Sequence, residues 1–126
     1  MSDIYGGGDR VQRSLNLLKE SDLSENNKYY LEEFANYLMA ENLSDHKIYR
    51  YLQTFRTLAP VIDFDLKDAS RSDLVKLVGI INHDRIPDKD YSASSKAELK
   101  KAIRKFYVFE TGKESPDKTS FISVSV

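Results

Sequence analysis

Four times in this chain a serine stands just ahead of apolar residues that recur every three or four positions, a pattern that admits little but helices. Ser24 precedes Tyr30, Leu31, Phe34, Tyr37 and Leu38, and Ser44 precedes Ile48, Tyr51, Leu52, Phe55, Leu58 and Ala59. Ser70 precedes Leu74, Leu77, Val78 and Ile81, while Ser94 or Ser95 precedes Leu99, Ala102, Ile103, Phe106 and Phe109. A serine hydroxyl satisfies a free amide of a first helical turn, and the 3.6-residue period gathers each apolar set on one face. Helices are therefore expected near 24–42, 44–59, 71–83 and 94–111. Ser70-x-x-Asp73 reads as a capping box, and Gly112 suits the left-handed residue that ends the last helix.

The connections follow from the same reading. Residues 1–8 end in Gly6-Gly7-Gly8 and are expected to be a flexible terminus; no Gly-Lys-Ser/Thr follows that would make the triplet a phosphate loop. Asp9 can cap a short extra helix to about Lys19, with Val11, Leu15 and Leu18 inward. Asn42-Leu43-Ser44 is long enough only for a tight turn, so the helices on either side form an antiparallel hairpin. Pro60 ends the second helix, residues 84–93 form a loop around Pro87, and Ser115-Pro116 closes the fourth. Phe121 to Val126 alternates like a half-buried strand without a partner. That segment is expected to lead into something longer, with Ile122, Val124 and Val126 exposed or borrowed by a neighbouring molecule as an edge strand.

With 126 residues, 40% apolar and 31% charged, the chain suits one domain with one core. Zero cysteines remove disulfides, thiolate metal sites and a cysteine nucleophile, which fits a reducing interior. Without an apolar leader or a run of membrane-spanning length, the expectation is a soluble, cytoplasmic protein with no membrane partner. Asp63, Asp65 and Asp68 lack the glycine and terminal glutamate of a calcium loop, and neither His46 nor His83 has a second histidine at ligand spacing. No metal, cofactor or small-molecule substrate is expected.

Charge is distributed unevenly. Residues 1–43 hold four basic and eight acidic groups, 44–59 three and one, 60–93 five and seven, and 94–110 five and two. The second helix of each expected hairpin is thus basic on an otherwise acidic chain, the polarity that a polyanion-facing surface requires. Lys47, Arg50, Gln53 and Thr54 are expected on the outward face of one, with Arg56 near its edge and His46 and Tyr49 near its start. Lys96, Lys100, Lys101 and Arg104 are expected on the outward face of the other. Lysine-rich faces also serve simply as solubilising surface, and a helical interaction domain with an acidic protein partner is the alternative function.

The order of these residues resembles a known family. Leu23-Ser24-Glu25-Asn26 with Tyr30, Phe34, Tyr37 and Leu38, then Leu43-Ser44 with Ile48-Tyr49-Arg50-Tyr51-Leu52 and Phe55-Arg56, looks like the N-terminal core-binding domain of tyrosine recombinases, especially archaeal and phage integrases of the Xer-like type. Ala69-Ser70-Arg71-Ser72-Asp73-Leu74 with Ile80-Ile81-Asn82 is similar to that family's third helix, and Ser95-Lys96 through Ala102-Ile103-Arg104-Lys105-Phe106-Tyr107 to its fourth. The resemblance covers about residues 23–126. It implies an all-α, four-helix SAM-like domain of two crossed helical hairpins over residues 9–112, with a short extra N-terminal helix and with 113–126 as a linker toward a missing catalytic domain. It further implies a DNA-binding part of a site-specific recombinase that clamps a recombination half-site, with double-stranded DNA and other recombinase protomers on that DNA as partners. The second and fourth helices of the family meet the major groove, which makes the eight residues named above candidates for DNA contact; Arg50, Gln53 and Arg104 carry planar donors able to read base edges. The family's His-x-x-Arg motif is absent, since His46 is followed by Arg50 and His83 by Arg85, so no catalytic residue is expected in this chain.

Overall fold

Serine caps set four of the five helix starts. The computed structural model describes residues 6–87 and 89–124, and these form α1 (Gly6–Lys19), α2 (Glu25–Ala40), α3 (Asp45–Leu58), α4 (Arg71–Asn82) and α5 (Ala93–Thr111), with 3-10 turns at Ala59–Val61 and Asp117–Thr119. The described residues contain no strand, and the fold is all-α. The amides of Asn27, Lys47 and Asp73 donate to the hydroxyls of Ser24, Ser44 and Ser70 at 3.1, 3.2 and 3.1 Å. At α4 the box closes, because the Ser70 amide donates back to Asp73 Oδ2 at 3.0 Å.

Three helix boundaries differ from those expected, each for a local reason. Ser92, not Ser94 or Ser95, caps α5: its hydroxyl accepts from the Ser95 amide at 3.1 Å, and Ala97 joins the buried face. α2 stops at Ala40 because Asn42 turns left-handed at φ 62°, which lets the Leu43 amide donate back to Leu38 O at 3.2 Å. α1 begins at Gly6, ahead of the expected cap Asp9, so residues 6–8, expected to belong to a flexible terminus, lie within the helix. The expectations for residues 1–5, Asp88, Ser125 and Val126 lie outside the described residues. Gly112 ends α5 at φ 72°, as its position suggests.

The chain divides into two compact units, Met1–Ala59 and Pro60–Val126, where one core was expected. In the first unit α1 and α2 both contact α3, and α1 does so most extensively. Phe34, Leu38, Leu52 and Phe55 are completely buried there, with the Phe34 ring edge-on to Phe55 and Tyr51 at 6.1 Å centroid distances. α1 faces inward through Val11, Ser14 and Leu18, whereas Leu15 is only half-buried. The small Ser14 lets the backbones approach, and its fully buried hydroxyl has no hydrogen-bond partner.

In the second unit α4 and α5 contact each other, and Leu77, Ile81, Ile103 and Phe106 are buried. Tyr107 is the unit's polar anchor. Its ring is fully buried, edge-on to Phe106, and its hydroxyl donates to Leu66 O at 2.7 Å. Burial first, and then the charges of Glu110, Asp65 and Asp73, push its pKa far above the ordinary tyrosine range.

The tail corrects a further expectation. Pro116 leads into the 3-10 turn, which packs on α4, and residues 121–124 of the expected strand are not in a strand. Arg71 Nη1 donates to Asp117 O at 3.2 Å and to Ser120 Oγ at 3.3 Å, and its guanidinium lies 5.2 Å from the Phe121 ring centre. Lys118 Nζ donates to Ala69 O at 3.1 Å, pairs with Glu110 at 3.4 Å, and sits over the Tyr107 ring at 4.6 Å. Ile122, expected outside or on a neighbour, is buried at 6% exposure. A period-two apolar pattern is too short here to distinguish a strand from a turn that buries alternate residues.

Candidate nucleic-acid interface

The two helices expected to be basic, α3 in the first unit and α5 in the second, meet their surroundings differently, and α1 of the first unit is as basic as α3. On α3 a helical turn separates Lys47 from Arg50 and Arg50 from Gln53, so these residues follow the flank left open by the inward stripe of Ile48, Leu52 and Phe55. Lys47, Arg50 and Arg56 are exposed, and Gln53 is half-buried with its Oε1 accepting from Arg56 Nη1 at 3.1 Å. Thr54 does not belong to this face. It is 7% exposed, with its hydroxyl donating to Arg50 O at 3.3 Å, so the inward stripe is one residue wider than its apolar members suggest.

On α5 the expected outward face breaks into two. Lys96 Nζ pairs with Asp84 at 2.9 Å and donates to Asn82 O at 3.3 Å, while Lys100 Nζ donates to Asn82 Oδ1 at 2.9 Å. Both ammonium groups therefore close the C-terminal end of α4, where unpaired carbonyls and the negative end of the helix dipole favour cations. Both side chains are half-buried. Lys101 is exposed but pairs with Glu98 at 3.3 Å, an exposed pair that stabilises little and offsets the local charge. Arg104 is exposed, as expected. Periodicity could not separate these roles, because Lys96 and Lys100 flank the buried stripe and their partners come from the end of another helix.

One contributor to the α3 face was not expected at all. Arg10 of α1, itself exposed, donates from Nη1 to His46 Nδ1 at 3.0 Å, and its guanidinium carbon lies 5.5 Å from the Tyr49 ring centre. The only signal for it in the chain is its place next to Val11, which packs α1 against α3; no local motif marks it. Arg10 and Arg56 thus rest on an imidazole, a phenol ring and an amide, partners that orient a guanidinium without cancelling its charge.

Among the described residues no cluster of three or more histidine, cysteine or carboxylate side chains is suited to a metal ion, and no helix is long and apolar enough to cross a membrane. No protein-family model, curated protein or solved structure matches the chain.

Proposed function

We propose that this chain is a double-stranded DNA-binding module, the core-binding part of a site-specific tyrosine recombinase, with α2–α3 and α4–α5 as its two helical hairpins in the SAM-like manner. The supporting observation is the α3 face: Lys47, Arg50 and Arg56 are exposed along one helix, Gln53 lies among them, and Arg10 joins them from α1. A helix bearing arginines and a glutamine on one open flank has the forked donors that phosphate oxygens and purine edges accept. α5 adds Arg104 and, through its pair with Glu98, a weakened Lys101. Lys96 and Lys100 are then structural residues rather than DNA contacts.

In this reading the module binds and does not cut. Tyr107 is fully buried, and its hydroxyl donates to Leu66 O inside the second unit. The test is titration of a fluorescent duplex across a range of salt. Three to five phosphate contacts give a slope of log K against log salt of about −3 to −5, because each neutralised phosphate releases roughly 0.9 counterion. A slope near zero, or equally tight binding to an acidic polypeptide, would favour the protein-interaction alternative.

A further inference from the structure

We infer that Arg10, His46 and Tyr49 form a preset phosphate clamp, in which the N-terminal helix α1 contributes its own contact to the DNA backbone. The inference rests on the DNA-binding reading above and adds to it a phosphodiester-binding subsite to which α1, a helix that the resemblance does not implicate, contributes Arg10.

Proton placement is fixed by the donor inventory. A guanidinium has only N–H donors, so the 3.0 Å contact between Arg10 Nη1 and His46 Nδ1 requires that Nδ1 be the acceptor. His46 is itself exposed. One hydrogen bond consumes one of the arginine N–H groups, leaving the rest of the fork for an anion. The cation–π contact with the Tyr49 ring, 5.5 Å from the guanidinium carbon to the ring centre, is a second contact that restrains the side chain. A long side chain normally loses rotamer freedom when it grips a ligand; here much of that loss has already occurred in the free protein.

The guanidinium N–H groups that remain on Arg10, beside exposed Lys47 and Arg50, suit an oxyanion with several acceptor oxygens. The neighbours add positive potential: Arg13 is exposed one turn along α1, and Lys47 and Arg50 are exposed on α3 beside His46 and Tyr49, while Asp9 and Asp45 are the acidic residues adjacent in sequence to Arg10 and His46. A backbone phosphate flanking the stretch that α3 contacts is the occupant that this geometry and charge favour.

The experiment is the same salt titration with a random-sequence duplex, performed on the whole chain and on Arg10→Gln, Arg10→Lys and His46→Ala. Arg10→Gln is expected to weaken binding about three- to tenfold and to reduce the salt slope by about one unit. Arg10→Lys should restore the slope but not the full affinity, since lysine supplies a charge without the fork. His46→Ala should weaken binding about two- to fivefold with the slope unchanged, because it removes an orienting, uncharged partner. Thermal melting of each variant accompanies the titration, and a loss of affinity counts only where the melting curve is preserved. If the wild type binds duplex and Arg10→Gln binds as tightly with the same slope, the clamp is wrong and the DNA-binding reading stands. If the wild type shows no salt-dependent binding, the DNA-binding reading itself fails and the clamp falls with it.

Discussion

Tyr107→Ala is expected to destabilise the second unit by about 3–5 kcal/mol, the usual cost of removing a large aromatic side chain from a packed core. Tyr107→Phe separates the hydroxyl from the ring. It keeps the edge-on packing with Phe106 and the surface beneath Lys118, but it leaves Leu66 O without the donor that reaches it at 2.7 Å. A buried carbonyl stripped of its partner costs about 1–3 kcal/mol. The change should appear in amide exchange over residues 60–124, measured at neutral pH.

The phenol also carries a signature in alkali. Its pKa is raised in the folded chain from the usual value of 10.0, so the folded state holds the proton more tightly than the unfolded one. Its contribution is fully present below about pH 10 and is lost as pH rises from there toward the raised folded value. Wild type should therefore lose stability above about pH 10 more steeply than Tyr107→Phe. Equal alkaline profiles, together with an unchanged stability at neutral pH, would show that the hydroxyl is not bonded as described.

The second large effect is on binding. Replacing Lys47, Arg50 and Arg56 together by Ala is expected to lower duplex affinity on the order of a hundredfold or more at about 0.1 M salt, and to flatten the salt slope by about two to three units, roughly 0.9 for each phosphate no longer neutralised. Stability should change little, since all three side chains are exposed. Arg50→Ala alone should cost about 1–3 kcal/mol on a proper half-site and little on random duplex if it reads a base edge. Two controls separate a binding face from charge in general. Lys96→Ala and Lys100→Ala should loosen the end of α4 while barely changing the slope, because both side chains face that helix. Glu32→Gln with Glu33→Gln on the exposed side of α2 should leave binding intact or slightly stronger.

How much of this was legible in the chain itself varied with the range of the interaction. Helix existence depends on apolar period and capping, both local, and the caps Ser24, Ser44 and Ser70 fall at the expected residues. Ser92 was missed because four nearby residues, Ser92 to Ser95, include three serines, and the apolar period does not choose among them. The outward face of α3 could be read except for Thr54, which a hydroxyl made to look exposed while its methyl and back-bonded oxygen fit the interior. On α5 the helical wheel fails where long-range partners intervene. Lys96 and Lys100 meet residues fourteen and eighteen positions earlier, and nothing in the local pattern records that. Arg10 is the extreme case, 36 positions from His46 and carrying no motif of its own. The tail failed for a different reason: Ile122 is buried by a turn held through Arg71 and Lys118, whose partners are mostly backbone oxygens and rings rather than complementary charges.

Residue-resolved amide NMR of the intact chain during titration with duplex DNA tests the central claim most directly. If α3 and Arg10 form the DNA face, chemical-shift changes will concentrate near Arg10 and Arg13 on α1 and from His46 to Thr57 on α3, with smaller changes around Lys101 and Arg104, all diminishing as salt is raised. Changes confined to the acidic exposed side of α2, or none at all at low salt, would contradict it.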